Sequence, residues 1–92
     1  MKLIKQDLAT RDLAMTMAES LVTTIYGSSE LEAQRPLLIT DSEDRWVIEG
    51  SRLYKERMEG FEQLTDGRVV IEILKRNCQV LRLTQMVAFA PD

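Results

Sequence analysis

The sequence predicts an α+β domain in which one main N-terminal amphipathic helix packs on an antiparallel sheet of about four strands. Three observations lead to this fold class: an apolar stripe with the helical period, two later pairs of β-type segments, and a length of 92 residues. We expect the sheet to bend around the helix, because so short a chain must enclose a single core. Residues 1–92 therefore form one domain, with residues 88–92 as a short tail.

The helix is predicted from Asp7 to Tyr26. Apolar residues recur at every fourth position and smaller ones widen the stripe, the two sets being Leu13, Met17, Leu21 and Ile25, and Ala14, Ala18 and Val22. We expect this stripe to face the sheet. Thr10 or Asp7 can cap the first turn, and Gly27 suits the end of the helix. Residues 1–8 could extend this helix, form a separate turn or be a loose segment. Their apolar spacing favours a helix.

Two hairpins are predicted after the helix. Residues 28–35 form a polar connector with a short helical turn near Leu31, since a proline at position 36 disfavours helical geometry in the residue before it. Residues 37–40 and 45–50 form the first hairpin, with a turn at 41–44 and with Trp46 and Ile48 on one face.

Residues 51–67 lack a clear period, and we interpret them as an irregular excursion, a long loop with one turn of helix. Val69, Ile71 and Ile73 then alternate with Val70, Glu72 and Leu74 and predict a strand. Residues 75–78 form a turn in which Asn77 tolerates positive φ, and residues 80–85 return with Leu81 and Leu83 on one face.

The residue inventory excludes several classes of enzyme. Histidine is absent, so no Ser-His-Asp or Cys-His nucleophile can be assembled and no Cys/His zinc site is expected. The four glycines are scattered, which argues against a phosphate-binding loop and a nucleotide cofactor. The single cysteine, Cys78, cannot form an internal disulfide, and we interpret it as an idle, partly exposed thiol. We expect no catalytic residues, cofactor or metal.

Two glutamates keep an alternative open. Glu49 and Glu72 lie in predicted strands beside apolar residues, so either one in a pocket could serve as an acid or base with a raised pKa. The preferred interpretation is that both lie on the solvated face and pair with a cross-strand arginine, namely Arg45, Arg68 or Arg82.

Charge argues for a protein partner. The net charge of −3 disfavours nucleic acid and anionic membranes as partners. No long apolar run and no apolar segment typical of a signal peptide is found, so we expect a cytoplasmic protein. The acidic residues of 28–44 outnumber the single arginine there, and we predict that they contact a basic partner: Glu30, Glu32, Asp41, Glu43 and Asp44.

The excursion offers a second contact region. Tyr54, Met58 and Phe61 stand there among mixed charges, and such residue types are enriched in protein interfaces. We predict that they contact the partner, although the same residues could instead cover an open side of the core. Trp46 is expected to be buried against the helix, since an exposed tryptophan would be an interface anchor.

Several short motifs suggest a family. Their order is Ile25-Tyr26-Gly27, then Gln34-Arg35-Pro36, then the segment Arg45 to Gly50, then a terminal hairpin within residues 67–83. This order resembles the small bacterial immunity proteins with a nuclear transport factor 2 type, cystatin-like fold. Members commonly lack the inserted residues 53–64 and often turn their last hairpin on Asp-Gly, where this chain has Asn77-Cys78.

The resemblance implies a non-catalytic protein that binds and neutralises a cognate toxin acting in the cytoplasm, with the insertion as a place for partner-specific contact. Without the resemblance, the residues are also compatible with two other functions. One is a small-molecule-binding or isomerase-like domain of the same general fold, with Glu49 or Glu72 in its pocket. The other is a homodimeric structural subunit that uses the outer side of Val70 and Leu74. The sequence is compatible with a monomer or a homodimer.

Overall fold

The computed structural model describes residues 8–58 and 61–85, and for residues 53–58 and 61–66 it describes the backbone alone. Within this part of the chain the elements are α1 (Arg11–Tyr26), α2 (Ser28–Gln34), β1 (Leu38–Ser42), β2 (Arg45–Glu49), β3 (Leu53–Met58), β4 (Phe61–Asp66), β5 (Val69–Leu74) and β6 (Val80–Gln85). The strands form an antiparallel four-stranded sheet in the order β1-β2-β5-β6 and a two-stranded sheet of β3 and β4. The α+β fold class is confirmed. The expected tail and residues 1–7 lie outside the described residues.

Helix α1 has the predicted caps. The Thr10 hydroxyl accepts a hydrogen bond from the backbone N–H of Leu13 at 3.2 Å. The helix ends at Gly27, whose φ of 99° is strained for any residue with a β-carbon. Leu8 and Ala9 precede the helix, so the part of the expected N-terminal extension that is described is not helical.

The buried face of α1 lies within the predicted stripe but is centred on its smaller residues. Its centre is formed by the small residues Ala14, Ala18 and Val22, each with no exposed surface. Leu13 is 42% exposed and Ile25 is 52% exposed, so the four-residue stripe of large residues lies at the flank of the contact. The reason is steric, because small side chains allow the helix backbone to approach the sheet closely.

Helix α2 is longer than the single turn predicted for the connector. Leu31 and Gln34 are buried on its inner side. The helix ends before the proline as expected, with Arg35 in extended geometry at φ −69° and ψ 147°.

The inner face of the sheet forms the core with α1. Ile48, Val69, Ile71 and Ile73 are fully buried, which confirms the predicted alternation of β5. Trp46 is half-buried against this core, and its indole N–H donates to the Ala9 carbonyl at 2.8 Å. The indole therefore fastens the segment before α1 to strand β2.

The structure corrects the predictions for two turns. The β1–β2 turn is tighter than predicted, since β1 continues to Ser42 and the left-handed φ of 54° falls on Glu43. In the β5–β6 turn the positive φ of 62° belongs to Cys78 and not to Asn77. A register shift in the β5–β6 pairing leaves Leu81 without a direct partner, 40% exposed, while Leu83 packs on the core.

Strands β3 and β4 pair with each other antiparallel, so the predicted loop with a helical turn is wrong. Strands β3 and β4 continue the register of β2 and β5: three residues lie between Glu49 and Leu53, and three lie between Asp66 and Val70. Two backbone bonds bridge the gap, from Gly50 N–H to Val69 O at 2.9 Å and from Gly67 N–H to Arg52 O at 3.2 Å. We call the β3–β4 hairpin the arm.

Candidate protein-binding surfaces

The β1–β2 turn carries the exposed carboxylates of Asp41, Glu43 and Asp44. Asp41 pairs with the ammonium of Lys75. Asp44 accepts two hydrogen bonds from the Arg45 guanidinium, at 2.9 Å and 3.3 Å. Glu43 forms no ion pair with another described residue. The turn therefore presents one unpaired carboxylate at its tip, flanked by two that are paired.

The pair beside the tip is ionised over a wide pH range. The hydrogen bonds from Arg45 hold the pKa of the Asp44 carboxyl below its ordinary value. The hydrogen bonds to Asp44 and then to Glu72 raise the pKa of the Arg45 guanidinium. Both groups are therefore charged near neutral pH, and their charges largely cancel at the surface.

Glu32 lies on α2, away from this turn. Its side chain is 69% exposed and its carboxylate accepts a hydrogen bond from Arg35 at 2.9 Å. Arg35 also pairs with Glu19 of α1 at 3.2 Å. Glu32 is accessible to a partner, but its charge is shared with an arginine.

Glu30 points to the interior and not to the acidic surface. Its side chain is only 14% exposed and pairs with the Arg52 guanidinium. The Glu30 carboxylate also accepts from the Gln34 side-chain amide at 3.0 Å and from the Gln85 side-chain amide at 2.8 Å. The five acidic residues predicted as contacts are therefore not one continuous surface, and Asp41, Glu43 and Asp44 are the group that the fold brings together.

The arm brings the other predicted contacts together by its register. Met58 pairs directly with Phe61, and Tyr54 lies four residues before Met58 on the same strand. Because successive positions of a strand alternate between faces, positions 54, 58 and 61 share one face of the arm. The side chains of these residues lie outside the described part of the structure.

The two glutamates of the pocket hypothesis lie on the outer face of the sheet. Glu49 pairs with Arg68 at 2.9 Å, and Glu72 pairs with Arg45 at 3.1 Å and with Arg82 at 3.6 Å. The predicted cross-strand ion pairs are therefore confirmed. Val70 and Leu74 are half-buried, and their alternation with the buried residues of β5 places them on the same outer face. A dimer through this face stays a prediction.

Open grooves run along both sides of α1. One groove of about 440 Å³ is lined by Met15, Glu19, Arg35, Pro36 and Leu37. The other, of about 330 Å³, is lined by Thr16, Met17, Ser20, Leu21 and Val80. Neither groove is lined by Glu49 or Glu72, so these two do not supply a pocket with the desolvated carboxylate that an isomerase-like site requires.

Sequence reasoning missed the joint between the sheet and the arm. Gln34 is the one buried polar residue of the described core, and its side-chain oxygen would clash with a β-carbon at position 50. Both residues belong to short motifs, Gln34-Arg35-Pro36 and the segment ending at Gly50. The sequence therefore marked both residues, but it did not show that the two motifs are in contact.

Other kinds of site find no support in the described chain. Within it, no three Cys, Asp or Glu side chains come close enough together to hold a metal ion. Neither described helix combines the length and the apolar character that crossing a bilayer requires.

The comparisons with known proteins agree with the fold. The family model of the NTF2 fold immunity proteins matches residues 13–86. The chain belongs to this family. Uncharacterized protein YbbC of Escherichia coli (strain K12) is 36% identical over 78 residues, which cover 85% of this chain and 58% of that protein. The chain thus corresponds to little more than half of that relative. No solved structure matches it.

Membership in the NTF2 fold immunity family confirms the resemblance found in the sequence. The matched residues include both strands of the arm and the joint at its base. The structure of this immunity-family protein, two helices on a four-stranded antiparallel sheet, agrees with the fold that the family description names.

Proposed function

We propose that this protein binds a cognate bacterial toxin domain in the cytoplasm and neutralises it by protein–protein inhibition, without catalysis. The observation that carries the proposal is the family match over residues 13–86. The residue inventory supports it, since the chain lacks histidine and so lacks the usual near-neutral acid–base group.

The tip of the β1–β2 turn is the proposed electrostatic contact. Glu43 is exposed and unpaired among the described residues, whereas Asp41 and Asp44 share their charges with Lys75 and Arg45. A carboxylate at the apex of a narrow turn can enter a basic cleft, such as one that binds a phosphorylated substrate. The proposed partner is therefore a toxin domain with a basic surface, and Glu43 is its principal acidic contact.

The arm is the proposed apolar contact. Positions 54, 58 and 61 share one face of it, and tyrosine, methionine and phenylalanine are frequent at the centres of interfaces. In the described chain, β3 and β4 pair only with each other, so no strand of the main sheet borders them. We assign to this face the burial that holds the complex together, and to Glu43 the attraction that guides its formation.

Affinity capture followed by a growth test decides the proposal. Tagged protein is incubated with an extract of its source bacterium, captured proteins are identified by mass spectrometry, and each is expressed in a test strain with and without this protein. We expect capture of one toxin domain and growth only when this protein is co-expressed. A captured partner that does not harm cells, or toxicity that co-expression fails to relieve, would contradict the proposal.

A further inference from the structure

Four polar side chains meet where the sheet gives way to the arm. We call this group the brace: Glu30, Gln34, Arg52 and Gln85. They come from three parts of the chain: Glu30 and Gln34 lie on α2, Arg52 directly precedes β3, and Gln85 ends β6.

Gln34 bonds to the backbone on both sides of the joint between the sheet and the arm. We call β2 and β3 together with β4 and β5 the long hairpin. The side-chain amide of Gln34 donates to the Gly67 carbonyl at 2.8 Å, and its side-chain oxygen accepts from the Val69 N–H at 3.1 Å. Its backbone carbonyl accepts from the Ser51 N–H at 2.8 Å. Contacts on residues 51, 67 and 69 fix the backbone on both sides of the gap between the sheet and the arm.

Glu30 connects the rest of the brace. Its carboxylate accepts from Gln34 at 3.0 Å and from Gln85 at 2.8 Å, and it pairs with Arg52. Gln85 also donates to the Gly67 carbonyl at 3.3 Å. Helix α2, strand β6 and the start of β3 are thus joined through one carboxylate that is 14% exposed.

The hydrogen bonds of the brace restrict the direction in which the arm leaves the sheet. Hydrogen bonds require particular distances and angles, and buried networks of them specify one arrangement where apolar contacts tolerate several. A two-stranded sheet has little stability of its own. The direction of the arm therefore depends on its base, which in the described chain is held by the brace and by the two backbone bonds across the gap.

We propose that Glu30, Gln34 and Gln85 are positioning residues for toxin recognition: they hold the arm in the orientation in which it binds, without touching the toxin. This inference rests on the proposed function, in which the arm contacts the partner. It also gives Glu30 a role different from the direct contact that the sequence suggested.

A positioning residue and a contact residue differ in their kinetics. Loss of a direct contact chiefly raises the dissociation rate constant. Loss of positioning reduces the fraction of molecules that are ready to bind, so an arm correctly oriented about a tenth of the time would bind about tenfold more weakly. This loss appears in the association rate constant, while the dissociation rate constant stays nearly unchanged.

The experiment compares E30Q with E32Q, a matched change on the same helix outside the brace. Spin labels are placed at T24C on α1 and Q63C on the arm, in a C78S background, and the distance distribution is measured by pulsed electron resonance. Association and dissociation rate constants with the toxin are measured on the unlabelled variants. Q85M is the second brace variant, and thermal unfolding of every variant verifies that it is folded.

We expect E30Q and Q85M to broaden the distance distribution and E32Q to leave it unchanged. With the toxin, the brace variants should associate more slowly and dissociate at the original rate. An unchanged distance distribution in folded brace variants overturns the inference, as does a change confined to the dissociation rate constant. The distance measurement needs no toxin, so the brace can be refuted separately from the proposed function.

Discussion

The side-chain amide of Gln34 occupies the space that a β-carbon on Gly50 would need. An added β-carbon would lie 2.9 Å from the amide carbon of Gln34 and closer still to its oxygen. Residue 50 is therefore glycine because another chain segment fills the position of its side chain, and not because of a left-handed backbone.

Gly50→Ala is expected to destabilise the protein by about 1–3 kcal/mol, the usual cost of overpacking a closed interior. Chemical denaturation measures the change in the free energy of unfolding. If the cause is the contact with Gln34, the same substitution in a Gln34→Ala background should cost much less. An equal cost in both backgrounds would show that the contact is not responsible.

Glu43 gives a prediction in which stability and binding change in opposite directions. Its φ of 54° is unfavourable for glutamate but suits asparagine, so Glu43→Asn should stabilise the fold by about 1 kcal/mol. Under the proposed function, the substitution should also lower the association rate constant with the toxin and make that rate constant less dependent on salt concentration.

Glu43→Gln is the matched control, since it removes the same charge without a preference for positive φ. Thermal unfolding should separate the two variants, while the association rate constants should not. A normal association rate in both would remove Glu43 from the proposed interface.

Asp44 predicts a dependence of stability on pH. Its pKa is lowered in the folded protein, chiefly by the hydrogen bonds from Arg45, so the pair stabilises the fold above the unfolded-state pKa of about 3.9. This contribution is lost as the pH falls through the lower folded-state pKa. The difference in unfolding free energy between the original protein and Asp44→Asn should therefore shrink as the pH falls below about 4. A difference that is constant with pH would contradict the assignment.

The buried face of α1 can be tested with two substitutions. Ala18→Leu adds volume at a position with no exposed surface and should cost about 1–3 kcal/mol. Ile25→Ala removes a side chain that is 52% exposed and should change the unfolding free energy by less than about 1 kcal/mol. A larger cost for Ile25→Ala than for Ala18→Leu would show that α1 buries the large residues of the four-residue spacing instead.

The arm is tested by Phe61→Ala and Leu64→Ala. Both remove a large apolar side chain from β4, but position 64 pairs with residue 55, on the opposite face from positions 58 and 61. Under the proposed function, Phe61→Ala should raise the dissociation rate constant about tenfold or more, as for an interface anchor, and Leu64→Ala should not. Equal effects would contradict the assignment of binding to this one face of the arm.

Local patterns predicted the elements whose signals are short-range. The alternation of Val69, Ile71 and Ile73 is a period of two on one buried face, and it predicted β5 correctly. Thr10 and Gly27 marked the ends of α1 through the chemistry of their own residue types. These features require no knowledge of the rest of the chain.

The errors concern contacts between distant segments. The pairing of Asp41 with Lys75 spans 34 positions, so the loss of free acidic charge at the turn was invisible in the sequence. The choice between Leu13 and Ala14 as the inward position of α1 depends on how closely the sheet approaches. The arm was missed because its strands mix charges with apolar residues, although their pairing continues that of the strands beside them.

The unbroken register of the long hairpin has a consequence for divergence within the family. Adding or deleting the same number of residues on β3 and β4 changes the length of the arm, yet leaves every pair from Arg45 and Leu74 to Glu49 and Val70 opposed as before. Equal changes of an even number also preserve which positions share a face. Descendants of one gene can therefore acquire arms of different reach while the remainder of the protein is inherited intact, and under the proposed function they would differ in specificity.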